Sequence, residues 1–224
     1  MVFWSVFSYS FVVALTGAMS PGPVLSYVIF NAIKEKERGF LVGLFVILGH
    51  AILELLLILI LVAGLGPILE NQIFVIIIGL LGGGLLIYFG GSIIYDLRKK
   101  RIDFSFLNPD AAKLQDQAKQ NKLFNMHPIL GGVMISISNP YWILWWATWG
   151  LNAMRIFNIS FANPIAFWGF FIGHEMGDLV WYVPVATLVG FSGKIMTKKV
   201  YIAILVACSI FMIGFGLYLA SSVF

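Results

Sequence analysis

Six long apolar runs, at 3–31, 40–64, 73–96, 128–154, 162–190 and 199–223, occupy most of this 224-residue chain. A helix needs about 20 apolar residues to cross a hydrocarbon layer ~30 Å thick, and each run is longer than that. The runs are continuous rather than alternating, so they read as helices and not as transmembrane strands. Composition agrees, with 60% of residues hydrophobic and 11% charged, where soluble domains run to about 45–50% apolar and 25% charged. The first run has no basic leader and no cleavage-like small-residue site, which predicts a membrane span rather than a removed signal peptide. The lone cysteine, Cys208, excludes a disulfide framework.

The basic residues predict an orientation. Thirteen of the fourteen Lys and Arg fall in alternate loops: Lys34, Lys36 and Arg38 in the first, seven between Arg98 and Lys122, and Lys194, Lys198 and Lys199 in the last, leaving only Arg155. By the positive-inside rule, loops 32–39, 97–127 and 191–198 are cytoplasmic and both termini lie outside the plasma membrane. An odd number of spans would scramble this segregation. The segregation also accounts for the net charge of +4 without a nucleic-acid partner. Segment 97–127 reads as a basic linker between two three-helix units, 1–96 and 128–224. Within it Asn108-Pro109-Asp110 has the form of a helix start, either in a solvated linker or in a short helix on anionic lipid.

The two units resemble each other. Gly49-His50 followed by Glu54 matches Gly173-His174 followed by Asp178; Ser20-Pro21 matches Ser138-Asn139-Pro140 more weakly. Gly84, Tyr88 and Ser92 match Gly214, Tyr218 and Ser222 at identical spacing. Three matches in one order predict an internal repeat. With three spans per unit the second copy enters the membrane from the opposite side, an inverted repeat typical of secondary transporters. The fold expected is therefore all-α and integral to the membrane, with six transmembrane helices in two inverted three-helix repeats.

The first and fourth helices should be broken at proline. Ser20-Pro21-Gly22-Pro23 cannot continue a regular helix, and Asn139-Pro140 pairs a natural cap with a first-turn proline. Two half-helix N-termini would then suit a carboxylate or another anionic group; the bland reading is a pair of proline kinks satisfied by neighbours. His50 with Glu54, and His174 with Asp178, each share one helix face at i, i+4, and Glu175 joins the second pair. Ionisable groups at that depth are functional candidates. They can relay protons, hold a substrate ammonium, bind a divalent metal through His50, Glu54, His174 and Asp178, or simply clamp the helices together. Trp142, Trp145, Trp146 and Trp149 share one face of the fourth span. That face can stack an organic substrate or its cation, with Trp142 and Trp146 the contacts named for binding; packing or an interfacial belt toward lipid is the favoured reading of the face as a whole. Gly79 and Gly83, with Gly82, Gly84, Gly90 and Gly91, predict close helix packing or a homodimer contact.

With these motifs in hand, the chain resembles the LysE/RhtB family of amino-acid translocators over essentially its whole length. The resemblance rests on Pro21-Gly22-Pro23, the Gly-His-acid element of the second span, the basic central loop, Asn139-Pro140, and Asp178 followed by Trp181. It departs at Val24 and Tyr141, where the family often carries Asn and Lys, and at His50, where the family often has an acid. The resemblance implies ion-driven export of amino acids or their relatives. The site expected for the small-molecule substrate is Ser20, Pro21, Gly22, Pro23, Asn139, Pro140, Trp142 and Trp146, with His50, Glu54, His174, Glu175 and Asp178 handling protons or the substrate amine. No cofactor is expected. The chain contains neither Gly-x-Ser-x-Gly nor His-Glu-x-x-His, so an enzyme is not expected. The alternative is a divalent-metal or ion permease using the His and carboxylate pairs.

Overall fold

The computed structural model describes residues 2–19, 22–64, 72–102, 104, 126–192 and 197–221. All regular elements among these residues are helical. The first apolar run forms two helices, α1 (Val2–Ala18) and α2 (Pro23–Glu35). Gly22 caps α2 in an extended conformation and Pro23 opens its first turn, where a missing N–H costs nothing. Ser20 and Pro21 lie outside the described residues. A 3-10 turn, Lys36–Arg38, leads into α3 (Gly39–Gly64), and α4 (Gln72–Arg98) follows. The Asn108-Pro109-Asp110 helix start falls outside the described residues.

The fourth run is the least regular. It comprises α5 (Pro128–Ile137), α6 (Pro140–Trp145), a π-helical turn (Trp146–Gly150) and α7 (Leu151–Ile156). The interruption at Ser138 and Asn139 coincides with the Asn-Pro pair, but it comes after ten residues of helix where the first run breaks after seventeen. The π turn has no counterpart in the sequence reading. The last two runs form α8 (Pro164–Ser192) and α9 (Lys198–Ser221). At 1.5 Å per residue, α3, α4, α8 and α9, with 26, 27, 29 and 24 residues, reach about 36–44 Å, enough to cross a bilayer.

The packing follows the glycines. α1 lies along α8, α5 along α3, α3 along α8 and α4 along α9, with α2 against both α3 and α8. A Cβ on Gly49 would collide with the Ile129 carbonyl, and one on Gly132 with the Val46 carbonyl, so α3 and α5 touch backbone to backbone. Gly173 and Gly177 bring α8 equally close to the backbone at Phe7 and Phe11 of α1. Between α4 and α9, Gly83 and Gly90 approach the backbone at Gly216 and Ser209, whereas Gly84 and Gly91 face open space and take no part in that contact.

The side chains are arranged inside out. Along α3, Val46, His50, Glu54 and Ile58 are buried while Leu44, Leu48, Ile52, Leu56 and Ile60 are exposed in four-residue steps. Along α8, His174, Glu175 and Asp178 are buried while Trp168, Ile172, Met176 and Val180 are exposed. Water-soluble proteins seldom expose apolar surface that continuously, and a lipid environment accounts for it. Overpacking a tight contact costs about 1–3 kcal/mol, so Gly132→Val should lower the thermal unfolding midpoint of detergent-solubilised protein by several degrees. Gly84→Ala, placed in open space, should leave that midpoint unchanged or raise it.

Candidate functional site

The buried faces of α3 and α8 meet at four ionisable side chains. His50 and Glu54 stand one turn apart on α3, and His174 and Asp178 one turn apart on α8. One nitrogen or oxygen from each lies within 4.8 Å of the other three. His50 Nε2 is 3.0 Å from Glu54 Oε1 and 3.4 Å from Asp178 Oδ2; His174 Nε2 is 3.0 Å from Glu54 Oε2 and 4.0 Å from Asp178 Oδ2. The four residues are only 8%, 1%, 4% and 5% exposed for His50, Glu54, His174 and Asp178. At that depth each charge relies on its neighbours rather than on water.

Other elements hold the centre in place. Ser136 of α5 sits 2.6 Å from His50 Nδ1, and its hydroxyl donates to the Gly132 carbonyl at 2.7 Å. A hydroxyl carries one proton, so His50 Nδ1 is the donor toward Ser136 and His50 Nε2 is turned to the carboxylates. Glu54 Oε1 accepts two indole N–H bonds, from Trp142 at 2.7 Å and Trp146 at 2.9 Å. The Trp145 ring packs edge-on to the His174 imidazole with centroids 4.7 Å apart. The π turn positions Trp146 and Trp149, both buried, and Gly150 ends it where any Cβ would strike the Trp146 ring. The tryptophan face therefore turns inward to the polar centre. An interfacial belt toward lipid is not what these residues form, because the indole N–H groups of Trp142 and Trp146 reach buried Glu54 and the rings of Trp146 and Trp149 are buried.

The centre opens onto a cavity of about 70 Å³, measured as space for the centres of water molecules, room for several waters. Gly17, Ala18, Val24, Asn139, Trp142, Trp145 and Tyr182 line it together with His50, Glu54, His174 and Asp178. Both helix interruptions thus reach one cavity, the first through Ala18 and Val24 and the second through Asn139. Gly22 and Pro23 shape the first interruption without lining the cavity, and Trp146 reaches the site only through Glu54. Nothing is described of Ser20, Pro21 or the Pro140 side chain. Glu175 is not one of the four clustered donors; it is 7% exposed and lies beside Glu54. The sequence reading missed Ser136 and Tyr182. Ser136 carried a signal, since it lies one helical turn beyond the packing glycine Gly132, on the helix that ends at Asn139-Pro140.

A helical chain with an apolar exterior and a buried ionisable centre at an internal cavity has the build of an integral membrane transporter. The chain belongs to the LysE family, whose description is LysE type translocator, and the match covers residues 15–223. Neither curated proteins nor solved structures give a significant match.

Hydrogen bonds to a charged group contribute about 1.5–3 kcal/mol. Trp146→Phe, which keeps the ring and removes the N–H, should therefore destabilise the detergent-solubilised protein measurably in chemical unfolding. Glu54→Ala, which strands two indoles and two histidines at once, should cost more than Trp146→Phe. The reverse order would contradict the geometry.

Proposed function

We propose that this protein is an ion-coupled secondary transporter that exports amino acids or related small metabolites from the cytoplasm across the plasma membrane. It would work by alternating access between two inverted three-helix repeats, with both termini outside and the basic loops inside. The observation that carries this reading is the convergence of one His and carboxylate pair from each half, and one helix interruption from each half, on a single cavity. The helix pairings support it as well. Exchanging the two halves turns the α1–α8 contact into the α5–α3 contact and leaves the α3–α8 and α4–α9 contacts in place. Such a relation provides two nearly equivalent states, one open to each side. Cargo class and direction rest on the family.

The roles follow from the chemistry of each group. The N-terminus of α2, reaching the cavity at Val24, and Asn139 at the second interruption suit a substrate carboxylate. Gly22, Pro23 and Pro140 keep the two spans interrupted there, and Ser20 and Pro21 belong to the same proposed substrate site. Trp142 borders the cargo, and Trp146 holds Glu54. His50, Glu54, His174 and Asp178 meet the substrate amine or the coupling proton; Glu175, off the cavity, handles protons alone.

The test is efflux of radiolabelled amino acids from proteoliposomes with and without an imposed pH gradient. Glu54→Gln and Asp178→Asn should each lower gradient-driven flux at least tenfold while the proteins still elute as folded species. Unchanged coupled flux in both variants would remove these carboxylates from the mechanism. Absence of flux for every amino acid tried, with flux of a divalent cation instead, would replace the amino-acid reading by a permease for that cation.

A further inference from the structure

The four side chains at the α3–α8 crossing do more than neutralise one another. We propose that His50, Glu54, His174 and Asp178 form a binding site for one divalent transition-metal ion of the Zn²⁺ class at the wall of the cavity. Two imidazoles and two carboxylates are a donor set such ions accept, and the two carboxylates balance a charge of +2. The spacing fits. Ligand bonds of about 2.0–2.2 Å place the corners of a tetrahedron about 3.3–3.5 Å apart; with Glu54 Oε2 as its donor, His174 Nε2–Glu54 Oε2, His50 Nε2–Asp178 Oδ2 and His174 Nε2–Asp178 Oδ2 are 3.0, 3.4 and 4.0 Å, and the four donors lie within 4.8 Å of one another, so a bound ion would draw them in slightly.

The surroundings of the cluster point the same way, independently of its composition. His50 donates through Nδ1 to Ser136, whose own proton goes to the Gly132 carbonyl. A metal-bound histidine is normally held like this, its second nitrogen anchored and the ligating one aimed inward. Glu54 Oε1 already accepts two indole N–H bonds, which together use the two lone pairs of one carboxylate oxygen. The other oxygen, Oε2, is buried and makes no hydrogen bond among the described residues, although His174 Nε2 lies 3.0 Å away. An oriented imidazole and a carboxylate oxygen facing a second imidazole form a pocket for a cation. His174 is held differently, because its Nδ1 has no hydrogen-bond partner among the described residues and its ring packs against Trp145 instead. The site opens on the cavity side, so a bound ion would keep room for water or for a donor atom of the cargo. Metal binding is thus a property of the site whatever the cargo proves to be.

The full chain, purified in detergent and stripped with a chelator, is titrated with Zn²⁺ against an excess of Mg²⁺. One ion per chain should bind and survive the Mg²⁺. His50→Ala and His174→Ala should each weaken binding at least a hundredfold. Ser136→Ala, which keeps all four donors, should weaken it about 10–100-fold, as lost anchoring of a ligand does. His127→Ala, which removes the third histidine at the exposed cap of α5, should leave binding unchanged. Zn²⁺ bound equally well by the His50→Ala/His174→Ala double variant, or no stoichiometric ion in the intact protein, overturns the proposal. Should the alanine variants fail to fold, Co²⁺ added to the intact protein decides. Intense visible bands of four-coordinate Co²⁺ support the site, and only the weak bands of hydrated Co²⁺ overturn it. Flux in proteoliposomes is read separately: amino-acid efflux without bound metal sinks this inference alone, and bound metal without amino-acid efflux sinks the export reading alone.

Discussion

Two carboxylates and two imidazoles buried between α3 and α8 set the terms for the surrounding structure. Lipid offers such groups nothing, so every charge must be met by a protein atom. The residues next to the centre serve that need. Gly49 precedes His50, and its missing side chain lets α5 rest directly on α3; Gly132 on α5 does the same from the other side. One turn past Gly132, Ser136 arrives beside His50. The close helix approach and the anchoring hydrogen bond are thus two consequences of one contact. Gly173, before His174, brings α1 against α8 by the same means.

The irregular fourth span follows from the same constraint. A straight helix through 128–154 would have kept the tryptophans on one stripe but without the interruption that admits Asn139 to the cavity. Breaking the helix at Asn139 and widening it into a π turn at Trp146–Gly150 supplies both. Trp142 and Trp146 then reach the same oxygen of Glu54. Single π turns are uncommon and recur at functional sites. Here the turn directs Trp146 to Glu54 rather than to the lipid surface.

Much of this was legible in the sequence because lipid enforces simple rules. Apolar runs longer than 20 residues gave helices within a few residues of their ends, and the motifs around Pro23 and Asn139 marked where two of them break. The i, i+4 spacing of His50 with Glu54 and His174 with Asp178 placed each pair on one face. Their meeting in one cluster depends on how α3 and α8 cross, which spacing on a single helix cannot express. The inward turn of Trp142 and Trp146 was left open among alternatives for a related reason. An aromatic stripe looks the same whether it faces lipid or a carboxylate, and only the partner, Glu54, tells them apart. The π turn left no trace because it is a compromise among contacts from several helices. Ser136 was overlooked because one hydroxyl in an apolar helix usually bonds its own backbone, as this one also does.

The two halves of the centre are alike in composition and unlike in support. When Pro21 is set against Pro140, as the proposed repeat requires, the position matching Ser136 in the first half is Gly17. Gly17 lines the cavity and offers no hydroxyl, so His174 has no counterpart to the Ser136 anchor and leans on Trp145 instead. His50 is thus held through both ring nitrogens, whereas His174 is held through Nε2 by Glu54 and otherwise by ring packing.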